Sequence, residues 1–175
     1  MNVTIVTMII NLSHSLRAIK QLLFGAAYVC GIALVIAAIW KWHDLINERG
    51  GSAEGQKSMI LFMLLSGIGL IFLPSSMEVL SVTAFGASQS LLQYTDYNPY
   101  NLNDAMLLLI QTVGVLWFFW GMILLARAGH PNSPGGERSS GAKALGYLCA
   151  GICAMNFQST LDMLHSILQL LMTWF

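Results

Sequence analysis

The chain has 175 residues, 56% hydrophobic and only 9% charged, with 8 Lys and Arg balanced by 8 Asp and Glu. A soluble domain carries about 25% charged residues, so a soluble enzyme, a disordered chain and a nucleic-acid binder acting through a basic patch are excluded. Three cysteines are too few for a disulfide scaffold, which leaves an integral membrane protein, all-α because its apolar runs are continuous rather than alternating.

In chain order, residues 1–21 come first. Ile5, Ile9, Leu12, Leu16, Ile19 and Leu23 recur at helical spacing, with Asn2, Asn11, His14 and Ser15 among them. This predicts an amphipathic N-terminal helix on the outer leaflet, with Arg17 and Lys20 snorkelling to headgroups. The extreme N-terminus has no basic residue, so no cleaved leader is expected. A bilayer core needs roughly 20 apolar residues of helix. Four uncharged stretches meet or approach that length: Leu22–Trp40, Ser58–Met77, Ala105–Ala126 and Ala144–Leu161. They predict four transmembrane helices in two tandem hairpins. Residues 22–80 form the first, 81–104 an outer loop, and 105–175 the second hairpin and tail. Pro74 is expected to end the second span rather than to shape a substrate site.

Positive charge orients the chain. Lys41, Arg49 and Lys57 lie between spans one and two; Arg127, Arg138 and Lys143 lie between spans three and four. The segment from Glu78 to Asp104 has neither Lys nor Arg. The positive-inside rule then places both basic loops in the cytoplasm of a bacterial inner membrane and both termini in the periplasm. Arg17 and Lys20 stand against that count. The basic loops, 48–55 and 129–141, are rich in Gly, Ser and Pro and lack phosphate-loop spacing, so they read as solvated hairpin turns. The six cations in and beside them either set topology or contact lipid headgroups or a lumen.

The halves resemble each other. A displacement of 84 residues carries Gly67-Ile68 onto Gly151-Ile152, and Ser75–Leu80 onto Ser159–Leu164. Duplication and convergence both explain this. Helices associate in lipid at small residues, which nominates Ala27 and Gly31 in span one, Gly67 in span two, and the stripe Gly146, Ala150, Ala154 in span four. Trp40 and Trp42 suit an interfacial belt, whereas Trp117 and Trp120 are expected to pack.

No catalytic, cofactor or metal residues are expected. The strongest polar candidates inside the spans are Gln111, Thr112, Asn156 and Gln158, none ionisable. The four histidines are scattered, and Cys149 and Cys153 read as small packing residues. Bound phospholipid is the one non-protein component the composition suggests. The outer loop is richer: Phe85 precedes Tyr94, Tyr97 and Tyr100, which suit either a partner contact or an interfacial aromatic belt.

Several stretches resemble one family. They are the Ile39-Trp40-Lys41 exit of span one, Thr83–Gly86, Leu92–Tyr94, Phe118–Gly121 through Arg127, and Lys143–Leu145 through Ala154-Met155-Asn156. Together they resemble the TraQ-like and IcmC/DotE-like membrane proteins of type IVB secretion and IncI-type conjugation systems, from Leu22 to Leu164. The resemblance implies a structural subunit of a transfer machine, with homo-oligomeric or other secretion-system membrane partners and no catalytic residues. Simpler type IV pilins look like one such hairpin, which implies possible extraction into an extracellular pilus. A small channel or transporter is the alternative, and an immunity or holin-like protein a weaker one.

Overall fold

The computed structural model describes residues 2–47, 53–86, 102–128 and 137–174. Among the described residues the chain is all-helical, with six helices: α1 Asn2–Asn47, α2 Ala53–Ile71, α3 Leu73–Phe85, α4 Leu102–Ala128, α5 Glu137–Met155 and α6 Phe157–Trp174. α1 packs along α2 and α4 packs along α5, while α4 also lies against α1 and α2. The core between them gathers Ala27, Leu70, Leu73, Met77, Val115, Phe118 and Met122.

Two helices, over Ala18–Asn47 and Ala105–Ala128, are long and apolar enough to cross a membrane. α2 and α3 make a third span only if taken together, and they bend by 97° between them. The apolar part of α5, Gly141–Met155, is shorter.

Three expectations change. First, no break separates an N-terminal helix from span one, because α1 runs unbroken from Asn2 to Asn47. No proline or glycine lies before Gly25 to interrupt it. Second, the stretches Ser58–Met77 and Ala144–Leu161 are not single helices. α2 stops at Ile71 and α5 at Met155, with Phe72 and Asn156 outside the helices. At the first break Pro74 has no N–H for the Leu70 carbonyl, and its ring crowds that carbonyl. Pro74 sits in the first turn of α3, where a missing N–H costs nothing. Third, Trp117 and Trp120 are exposed rather than packed. α3 closes at Gly86, whose φ of 69° is left-handed and free of strain without a Cβ.

Candidate functional site: helix breaks and packing faces

The helix pairs α1–α2 and α4–α5 close through the same device. In the first, a Cβ on Gly31 would lie 2.8 Å from the Gly67 carbonyl oxygen, and one on Gly67 would lie 3.1 Å from the Gly31 oxygen. In the second, Gly114 and Gly151 face each other, with corresponding distances of 2.9 and 2.8 Å. The backbones touch because neither partner carries a side chain there, as small residues allow in lipid. Gly121 adds a second close approach, to Leu148.

The breaks match as well. Phe72 donates its N–H to the Ile68 carbonyl at 3.0 Å, and Asn156 donates to Ile152 at 3.1 Å. The Ser76 hydroxyl bonds to the Gly69 and Phe72 carbonyls at 3.1 and 2.8 Å. The Thr160 hydroxyl bonds to the Cys153 and Asn156 carbonyls at 3.0 and 2.9 Å. Every member of the second set lies 84 residues beyond its counterpart in the first. Each hydroxyl reaches back over the break to the Gly69 or Cys153 carbonyl, while sharing the Phe72 or Asn156 carbonyl with the backbone N–H of Ser76 or Thr160.

The cause of each break differs. The second has no proline. Asn156 supplies a competing amide, whose Nδ2 donates to the Ile152 carbonyl at 3.2 Å. Its Oδ1 accepts from Ser81 Oγ at 2.8 Å. Ser81 and Asn156 are both buried, so this bond ties α3 of the first half to the break of the second. Ser66, also buried, donates to the Met122 carbonyl and ties α2 to α4. Thr112 is buried but bonds within its own helix, to the Leu108 carbonyl. Gln111 is half-buried and Gln158 exposed.

The packing residues nominated from the sequence divide. Ala27 is buried, and Gly31 and Gly67 form the first seam. The stripe Gly146, Ala150, Ala154 does not form the second. Gly146 is exposed and a Cβ there would meet nothing, while Ala150 and Ala154 are half-buried. α5 instead turns Ala144, Leu148, Gly151 and Met155 inward, roughly a third of a turn around the helix. Spacing alone cannot say which of two small-residue stripes on one helix meets the partner. Gly114 and Gly121 were missed. The signal that could have found Gly114 is its position 83 residues beyond Gly31, beside the matched Gly67–Gly151 pair.

Of the basic residues, Lys57, Arg127 and Lys143 are exposed. Lys41 is half-buried with Nζ 3.7 Å from Met59 Sδ. Arg138 lies in the first turns of α5, its side chain outside the described residues, and Arg49 lies outside them altogether. Phe85 is half-buried at the end of α3, whereas Tyr94, Tyr97 and Tyr100 lie outside the described residues. Among the described residues no three His, Cys, Asp or Glu side chains gather where they could hold a metal. Cys149 and Cys153 are free and exposed.

α6 takes the last residues of the expected fourth span, 157–161, together with the tail beyond it. Gln158, Asp162, His165, Ser166, Gln169 and Thr173 share one side of it, and Phe157, Leu161, Leu164, Leu168 and Leu171 the other. Residues 161–173 are all exposed, apolar side included. No family model, no curated protein and no solved structure matches the chain.

Proposed function

We propose that the chain is a structural membrane subunit of a bacterial conjugation or type IVB secretion apparatus, set in the inner membrane and assembling by helix packing. The observation that carries this reading is the apolar helix surface left uncovered once both hairpins are closed, including one whole face of α6. The family resemblance directs that surface toward a transfer machine. In this reading α1, α2, α4 and α5 cross the bilayer. The basic hairpin tips with Lys41, Arg49, Lys57, Arg127, Arg138 and Lys143 face the cytoplasm. α3 and α6 lie along the outer leaflet, α6 with its polar side to water. α1 spans roughly 69 Å at about 1.5 Å per residue, so its first turns continue past a core of about 30 Å. Polymerisation like a pilin, with the basic tips against lipid headgroups or a lumen, is a narrower form of the same reading.

A channel or transporter is the second reading, favoured by the matched helix breaks. Discontinuous helices in corresponding positions of two repeats often border a transport site. Deleting the gene separates the two. The assembly reading expects loss of DNA transfer or effector export with growth intact and rescue in trans. Tyr97→Ala or Tyr100→Ala should then lower transfer while the protein still accumulates in the membrane. Normal transfer with an altered solute or ion flux would discard this reading for the second.

A further inference from the structure

The two repeats meet through unlike faces, and each face has a counterpart that is left open. α2 of the first repeat lies on α4 of the second: Ser66 bonds to the Met122 carbonyl, and a Cβ on Gly69 would be 2.8 Å from Met122 Cε. A closed two-fold between the repeats would lay α5 on α1 in the same way. Among the described residues α5 makes no comparable packing with α1. The contact is therefore heterologous, and such a contact has two unused ends.

Both ends are legible residue by residue. The glycine seams relate α4 to α1 by 83 residues, since Gly114 corresponds to Gly31, and α5–α6 to α2–α3 by 84. On α4, Thr112, Val115 and Met122 are buried; their counterparts on α1, Val29, Ile32 and Ile39, are exposed. The contrast reaches 2% against 66% at Thr112 and Val29, and 8% against 55% at Met122 and Ile39. On α2–α3, Ser66 and Met77 are buried, while Ala150 is half-buried and Leu161 is 49% exposed. An apolar helix stripe in a membrane protein ordinarily meets lipid. Here the same positions of the other repeat meet protein.

The open faces also fit each other in volume. In the internal contact a glycine, Gly69, receives a long side chain, Met122. The open counterparts are Cys153 and Ile39, a larger residue facing a shorter one. Ala150 replaces Ser66 and keeps the close approach without needing an acceptor.

We infer that a second copy of this chain docks head to tail, its α1 stripe Val29–Ile32–Ile39 seated on the Ala150–Cys153 face of α5 as α4 is seated on α2 within one chain. The inference rests on the assembly reading above, though not on the transfer machine. Repetition of one heterologous contact gives rings or filaments, according to whether the rotation closes.

The test uses the full chain in native membranes, with Cys30→Ala and Cys149→Ala removing the other thiols and Cys153 kept. Adding Ile39→Cys and oxidising should give disulfide-linked dimers and higher multimers on a non-reducing gel. Cys153→Ser should abolish them. Ala33→Cys, also exposed on α1 but corresponding to the exposed Leu116 of α4, should stay at background. Equal cross-linking from Ile39→Cys and Ala33→Cys, or none from either, would overturn the head-to-tail seam. Mass measurement of the wild-type protein in lipid discs separates the two failures. Multimers without the Ile39–Cys153 link refute this seam and leave assembly standing; monomers with lipid on both faces refute self-assembly together with the seam.

Discussion

The halves α1–α3 and α4–α6 share their closing glycines and their hydroxyl-stapled breaks, yet differ in what surrounds those breaks. After Phe72, α3 turns Leu73, Met77 and Ser81 into the core. After Asn156, α6 carries Leu161 and His165 at the positions of Met77 and Ser81, and both are exposed. The contrast teaches that local geometry here is a property of each repeat, whereas burial is a property of its neighbours. The first repeat has the second beside it; among the described residues, nothing packs in the same way on the far side of the second. Asn156 marks the same asymmetry. It is buried under Ser81, while its counterpart Phe72 is exposed.

The largest expected effect tests what the repeats share. Gly67→Leu and Gly151→Leu should each destabilise by more than the roughly 1–3 kcal/mol typical of overpacking, because partner backbone atoms stand within 3.2 Å of an added Cβ at both, with the β-branched Val35 also in the way at Gly67. Gly146→Leu should be neutral within about 0.5 kcal/mol, as at other exposed positions. Denaturant titration in detergent micelles measures all three. A destabilised Gly146→Leu, beside tolerant Gly67 and Gly151 variants, would restore the outward stripe as the true seam.

The next effect tests what they do not share. Met77→Ala should cost about 2 kcal/mol, the low end for truncating a buried methionine, since in lipid the packing loss outweighs the transfer term. Leu161→Ala in the isolated protomer should stay within about 0.5 kcal/mol. Thermal unfolding of both variants in the same micelles decides the comparison, and equal costs would mean that α6 is covered after all.

The smallest effect sharpens the likeness of the breaks. Ser76→Ala and Thr160→Ala each remove one hydroxyl that bonds two carbonyls near the break, so each should cost about 0.5–1.5 kcal/mol. Hydrogen exchange should quicken over the turns joining α2 to α3 and α5 to α6 in the respective variants. A marked effect at one break and none at the other would show that only one staple supports its bend.

Much of this is local enough for the sequence to determine. The helical membrane class follows from composition and continuous apolar runs, because lipid leaves backbone groups no partner outside a helix. The 84-residue likeness follows from the repeated hydroxyl and acid after each apolar run, and Pro74 alone suffices to end a helix. Other features were decided only by the tertiary structure. Asn156 is buried at its break and its side chain accepts from Ser81 of the other half, a partner 75 residues away that only the tertiary structure reveals. Gly114 and Gly151 became the seam in place of Gly146 and Ala150, because a helix with small residues on two stripes needs a neighbour to choose between them. The open faces of α1 and α5 likewise emerge only from comparing burial across the repeats. Hydropathy marks Met122 and Ile39 both as apolar, and only packing in three dimensions separates the one that meets protein from the one left bare.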